Sequence, residues 1–242
     1  MTFAKPYSIE HPEEIAICDP EKELKWAEVD DVLNRCANGL QSMDLGHEVR
    51  IAVFAENSVE TAMANLGGLV AGASVVPVNF HLTAEEVNYI LGDSGARVLF
   101  VGPETWERGV EAAKGTEVHT VVAWGSPESA AVTPWPKWLA GNDAGEPDQS
   151  VSPLPNLLYT SGTTGRPKGT DLPPTMFAGG ATVDEHLANF KANVLERSGG
   201  VIGPQLVVGP MYHTGPLSGT RQLIAGVSSV IMARFNAERT LE

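Results

Sequence analysis

Cysteine is nearly absent: Cys18 and Cys36 are the only two in 242 residues. They form no C-x-x-C pair and no metal-ligand spacing, which excludes a disulfide framework and a zinc module and fits a reducing cytosol. Cys36 falls on the apolar stripe of a helix and reads as a buried, inert thiol. Basic residues are scarce as well. Sixteen Lys and Arg face 30 Asp and Glu, for a net charge of −14. Phosphate backbones and anionic membranes select a basic face, so the charge argues against nucleic acid and anionic membrane surfaces as partners. A small polyanion is not excluded, because it needs only a local cluster of N–H donors and one or two cations. The N-terminus lacks the apolar core of a signal peptide. One uncharged run, residues 62–84, raises the membrane question, but it holds Asn65, Pro77, Asn79 and His81. A buried helix followed by a buried strand accounts for it better than a membrane span. There is no internal repeat and no low-complexity tract.

What is present is an alternation. Trp26, Val29, Leu33, Cys36, Leu40 and Met43 recur at helical spacing. Short apolar runs at 50–55, 74–78, 97–101 and 118–124 read as strands. Between them, Ser58 caps a helix running to about residue 71, and Thr83 with Glu86 forms a capping box opening a helix through Leu91. Another helix is expected near 104–113. Strands that are continuously apolar, separated by helices, predict a parallel sheet covered on both faces. Residues 125–156 are rich in Pro, Ser and Asp and read as a long surface connection with one short helix near Trp138. Alternation then resumes. Residues 157–160 predict a strand, and Met176, Val183, Leu187, Phe190 and Val194 mark one helical face. A strand at 205–209, a helix at 217–225 and a strand at 230–234 follow. Asn236 is placed to cap a new helix that stops after one turn, so the chain is expected to be truncated. The fold class is therefore α/β, doubly wound, with mostly parallel sheets and helices on both faces. Its expected parts are a first α/β subdomain (1–124), the connection (125–156) and a second α/β segment (157–242).

The most informative segment is Tyr-Thr-Ser-Gly-Thr-Thr-Gly-Arg-Pro-Lys-Gly at 159–169. It follows a strand directly. Gly162, Gly165 and Gly169 permit tight or left-handed backbone, which can turn successive N–H groups inward around an anion. Thr160, Ser161, Thr163 and Thr164 add hydroxyl donors. Lys168 supplies a mobile charge for a β- or γ-phosphate, and Pro167 stiffens the turn that aims it. A flexible Ser/Thr/Gly linker would not sit immediately after an apolar strand or end in Pro-Lys-Gly. No Gly-Lys-Ser/Thr occurs, so this is not the phosphate loop of P-loop NTPases.

The segment resembles the signature of the adenylate-forming superfamily, which includes acyl-CoA synthetases, nonribosomal adenylation domains and beetle luciferases. Two further stretches agree, in the family's order. Leu-Val-Ala-Gly-Ala-Ser-Val-Val-Pro-Val-Asn at 69–79 resembles an early structural motif. Pro-Met-Tyr-His-Thr-Gly at 210–215 resembles the next core motif, Pro-x-aromatic-His-x-x-Gly. The pattern is closest to fatty acyl-CoA ligases. The resemblance implies that Thr160, Ser161, Gly162, Thr163, Thr164, Gly165 and Lys168 hold the phosphates of ATP. It implies that Thr160 shares Mg²⁺ with a glutamate beyond residue 242, and that His213 sits where the acyl carboxylate meets the α-phosphate. For His213 alone, a loop histidine bonded to backbone groups is the plainer reading. The phosphate loop in the same pattern favours the site, because ligands gather outside the carboxyl ends of parallel strands. If the strands before the two loops are parallel, both loops open on one edge. The histidines at 11, 47, 81, 119 and 186 form no ligand spacing.

One stretch departs from the family. After Gly169 the usual Val-rich continuation is replaced by Thr-Asp-Leu-Pro-Pro at 170–174. Asp171 is placed to cap the next helix, with Pro near its first turn. The implied activity is ATP-dependent activation of a carboxylic acid to an acyl-adenylate, with transfer to coenzyme A. Nonribosomal adenylation domains usually place an Asp near positions 212–214 to hold an amine. None is present here, which points to fatty or other amine-free acids. A ligase that passes its product to a carrier protein, or a nucleotide-binding remnant without turnover, stays open. The family's adenine-binding segment, hinge and second catalytic lysine follow the last motif present, so the chain alone is expected to be inactive and prone to self-association.

Overall fold

A computed structural model describes residues 2–160, 166–200, 203–238 and 240. The five loop residues Ser161, Gly162, Thr163, Thr164 and Gly165, singled out above, lie outside the described residues.

The chain opens with a short helix, α1 (Lys5–Glu10), and a small antiparallel pair, β1 (Ile15–Cys18) and β2 (Glu23–Lys25). The sequence reading did not find these elements, because each is too short to show a period. α2 (Trp26–Gln41) follows, burying the stripe Trp26, Val29, Leu33, Cys36 and Leu40. Then come β3 (Arg50–Phe54), α3 (Val59–Val70), β4 (Ser74–Val78), α4 (Ala84–Ser94), β5 (Val98–Val101), α5 (Trp106–Ala113) and β6 (Thr120–Ala123). The predicted caps form: the Ser58 hydroxyl accepts from the Thr61 N–H at 3.1 Å, and Thr83 and Glu86 make the capping box. The strands pair in parallel in the order β4-β3-β5-β6, ending on a two-residue strand, β7 (Thr133–Pro134). Residues along β3, β4 and β5 are almost all buried, as helix-covered parallel strands require. The uncharged run 62–84 is the buried helix and strand that its composition suggested. Among the described residues, no helix is long and apolar enough to cross a membrane.

The connection after β6 is more ordered than its composition suggests. It carries β7 and α6 (Trp135–Ala140), whose Trp135 and Trp138 meet Phe100 edge-on at 5.8 and 5.4 Å. Its later part lies along the polar face of α2. Asn34 donates to the Ala144 carbonyl at 3.1 Å, and Gln41 donates to that of Asp148 at 2.6 Å.

Beyond it, β8 (Asn156–Thr160) and β9 (Lys168–Leu172) form an antiparallel hairpin. Here the structure corrects the sequence reading. Asp171 does not cap a helix; it lies in β9 opposite Leu157. Backbone pairing with β8 claims residues 168–172, and Pro173 and Pro174 then end the strand, since neither can donate to a ladder. Met176 leaves the expected helical face and stands exposed in a 3-10 turn, Pro174–Met176. The helix starts later, as α7 (Val183–Arg197), capped by the Thr182 hydroxyl. Then follow β10 (Gln205–Val207), α8 (Thr214–Thr220), a 3-10 turn at Arg221–Ala225, and β11 (Ser229–Ile231). β10, β11 and β1 are parallel, and β2 closes that sheet. At Asn236 a single turn forms, with its carbonyl accepting from the Thr240 N–H at 3.0 Å. Parallel sheets flanked by helices are thus the architecture.

Candidate functional site

The hairpin is the first part of the site. Thr160 ends β8 and Lys168 begins β9, and the two are direct partners across the ladder. Opposed residues of a strand pair project to the same side, so the hydroxyl and the ammonium share one face. Both are exposed, and Lys168 makes no ion pair among the described residues. The opposite face is held down by α4. The Tyr159 hydroxyl donates to Asp93 at 2.6 Å, and the Tyr89 hydroxyl donates to the Pro167 carbonyl at 3.2 Å. Burial, then the adjoining Asp93 carboxylate, push the Tyr159 hydroxyl far above the ordinary tyrosine range. It therefore acts as a fixed donor. Gly169 makes room for this ring: a Cβ there would lie 2.9 Å from Leu157 Cδ1 and 3.3 Å from Tyr159 Cζ. Arg166 stacks over Tyr89 at 5.0 Å, so both strands leaving the loop rest on one helix.

The second part is the loop before α8. His213 takes an extended backbone, φ −97° and ψ 147°, and caps that helix; its N–H donates to the Pro210 carbonyl at 3.0 Å. Its ring lies 4.4 Å from Tyr212, which meets Phe80 edge-on at 5.7 Å. The ring is exposed and makes no hydrogen bond among the described residues. This differs from the plainer expectation of a loop histidine bonded to backbone groups.

The two parts meet. β8 does not share a sheet with β10, so the premise of two parallel strands with loops on one edge does not hold. β8 instead lies against β4, tied there by the Ser74 hydroxyl donating to the Pro155 carbonyl at 2.6 Å. That contact brings the hairpin to the carboxyl end of β4. The result is a cleft of about 370 Å³ whose lining includes the apolar Val78, Ile90 and Leu158 and the polar Thr160, Tyr212 and His213. Lys168 faces Thr160 across the hairpin. A narrow cleft with apolar lining residues and an exposed cation, hydroxyl and imidazole suits an amphipathic anion beside a phosphate chain. Among the described residues, no three acidic, histidine or cysteine side chains are placed to hold a metal ion together. The Thr160 hydroxyl is a hard oxygen donor and fits Mg²⁺ as one of several oxygens.

The sequence reading missed the groups that hold this geometry: Asn57, Tyr89 and Asp93. Asn57 lies just past the carboxyl end of a buried parallel strand, where such folds place functional polar groups. That position was the available signal.

Comparison with known proteins shows the family. Residues 8–241 match the AMP-binding enzyme family. An indoleacetate–CoA ligase of Aromatoleum aromaticum is 29% identical over 96% of this chain and 44% of its own length. The long-chain-fatty-acid–CoA ligase FadD13 of Mycobacterium tuberculosis is 34% identical over 64% of this chain and 31% of its own. A fatty acid–[acyl-carrier-protein] ligase, ScoC of Streptomyces coeruleorubidus, is 33% identical over 86% and 38%. The chain thus spans less than half the length of these relatives. The inhibitor-bound crystal structure of the N-terminal domain of FACL13 from Mycobacterium tuberculosis superposes with a TM-score of 0.75 at 25% identity. It covers 98% of this chain and 58% of that one. Since the family match takes in nearly every residue, the chain belongs to the AMP-binding enzymes, the adenylate-forming ligases, and corresponds to their N-terminal part.

Proposed function

We propose that the full-length protein carrying this chain uses ATP to activate a fatty acid and passes the acyl group to the thiol of coenzyme A. The observation that carries this reading is that Lys168 faces, across the hairpin, a Thr160 that lines the same cleft as His213. Lys168 neutralises phosphate charge there, and the 160–168 loop holds the β- and γ-phosphates. His213 and Tyr212 orient the incoming carboxylate. One carboxylate oxygen bonds to the α-phosphorus, the bond from that phosphorus to the bridging oxygen breaks, and pyrophosphate departs with the electron pair. The thiolate sulfur then bonds to the acyl carbon, and AMP departs. Charge neutralisation and alignment supply most of the rate in the first step. Thr160 would hold Mg²⁺ through its hydroxyl oxygen, and the ion, when bound, would add to the charge neutralisation.

The acid is read from what faces it. Residues 211–214 carry no carboxylate to pair with an α-amine, and Val78, Leu82, Ile90 and Leu158 give the cleft apolar lining. Two of the relatives act on fatty acids and one on an arylacetic acid. A carrier-protein thiol is the second reading for the acceptor, favoured by the likeness to ScoC. A cytosolic location is part of this reading, and the two free cysteines suit such a reducing compartment.

The test is to incubate the full-length protein with ATP, Mg²⁺ and coenzyme A plus fatty, aryl or amino acids, and to weigh the products by mass spectrometry. Fatty acyl-CoA is expected to dominate. Preference for an amino acid would overturn the assignment of residues 211–214. Fatty acyl-adenylate that reaches a carrier protein but never coenzyme A would move the acceptor to the second reading.

A further inference from the structure

We infer that Asn57 is a positioning residue for the carboxylate-binding histidine, acting through the backbone of the 209–213 loop. The inference rests on the proposed adenylation and adds to it a residue that touches no substrate.

Asn57 follows β3 and precedes the Ser58 cap of α3, at the carboxyl end of the five-stranded sheet. Its side chain is buried, at 6% exposure, yet belongs to no helix cap of its own. Among the described residues, its side-chain hydrogen bonds go to the other sheet's loops. Oδ1 accepts from the Met211 N–H at 2.8 Å, while Nδ2 donates to the Gly209 carbonyl at 2.8 Å and the Met232 carbonyl at 3.1 Å. Only one orientation of the amide satisfies one N–H and two carbonyls; the flipped amide would oppose like to like.

Those partners flank the site. Gly209 and Met211 bracket Pro210, whose carbonyl accepts the His213 N–H at 3.0 Å, and the His213 carbonyl accepts the Leu217 N–H at 3.1 Å as α8 begins. The Met211 side chain is fully buried, so the loop is pinned by backbone and side chain together. Met232, the third partner, follows β11, and its N–H donates to the Val207 carbonyl at the end of β10 at 2.9 Å. A single amide at the end of β3 therefore sets where the neighbouring sheet delivers His213. A loop freed of that amide keeps its sequence but loses its register against the hairpin that carries Thr160 and Lys168. Misplacement of a reacting partner by about 1 Å costs on the order of 100-fold in rate.

The experiment is a double-mutant cycle in the full-length protein, read by acid-dependent exchange of pyrophosphate into ATP. Asn57→Ala is expected to lower kcat by about 10- to 100-fold with KM for ATP within about twofold, because the phosphate hairpin rests on α4. In a His213→Ala background the same substitution is expected to cost less than about twofold, since the positioned group is gone. Asn57→Asp keeps the Met211 bond but sets a carboxylate against two carbonyls, and it runs the same cycle should Asn57→Ala fold poorly. Equal losses with and without His213 would overturn the inference. So would a lowered Tm with kcat unchanged, which is the result of a purely structural amide. A wild-type protein with no acid-dependent exchange would instead remove the proposed function, and this inference with it.

Discussion

Lys168 is the residue on which the phosphate assignment turns. It is exposed and lies opposite Thr160, and the strand it opens is held by backbone pairing, so its ammonium contributes little to the fold. Losing one charge-assisted contact to phosphate is worth roughly 1.5–3 kcal/mol. Lys168→Ala in the full-length protein is therefore expected to slow adenylation by about 10- to 100-fold, with an unaltered thermal midpoint. An unchanged rate would take Lys168 out of the site. Thr160, Lys168 and His213 were legible in the sequence because each sits in a short motif whose residue types serve one chemistry. Asn57, Tyr89 and Asp93 were not. A polar residue between a strand and a capped helix looks like any helix start, and a tyrosine on an amphipathic helix looks like ordinary packing. Their roles depend on partners 66 to 175 residues away. His186 was read as ordinary and is a core residue: burial lowers its pKa, and its Nδ1–H donates to the Gly179 carbonyl at 2.8 Å.

At the scale of elements, the helices and parallel strands followed from periodicity, and α3 shows why. Nearly every residue of Val59–Val70 is buried, so its apolar run continues into β4 without a polar face between. The β8–β9 hairpin had no such signal. Residues 168–172 are Lys-Gly-Thr-Asp-Leu, with no apolar alternation, and they pair through the backbone alone. The contact between α2 and α3 permits a sharp check. A Cβ on Gly67 would fall 2.3 Å from Cys36 Sγ and 2.8 Å from Cys36 Cβ. Replacing Gly by Ala inside a helix ordinarily gains about 1 kcal/mol. Overpacking of a rigid neighbour costs about 1–3 kcal/mol. Gly67→Ala is expected to be net destabilising, with the midpoint of thermal unfolding lowered by a few degrees, and Cys36→Ala is expected to restore part of the loss. A raised midpoint in the single variant would show that the two helices are not in close contact.

Across the whole molecule, the hairpin and the histidine loop belong to different sheets, and the cleft exists because β8 lies against β4 and Asn57 reaches the other sheet. The order of motifs made both loops visible, but the condition that the strands before them run parallel in one sheet is not met, because β8 and β10 lie in different sheets. Leu206 in β10, Val230 in β11 and Phe235 just beyond are exposed at 37%, 40% and 66%. Residues 1–242 expressed alone are expected to self-associate through this apolar surface, visible as concentration-dependent sedimentation. A monodisperse monomer would contradict that. On the proposed reading, the same isolated chain supplies the phosphate loop and the histidine but spans less than half the length of the curated relatives. Its affinity for ATP is expected to be weak, about millimolar, near −4 kcal/mol.

The exchange of labelled pyrophosphate into ATP, measured with and without added acid, tests the central claim most directly. The full-length protein is expected to catalyse exchange only when a fatty acid is present, and residues 1–242 alone are expected to catalyse none. No exchange by the full-length protein with any fatty, aryl or amino acid would contradict the account.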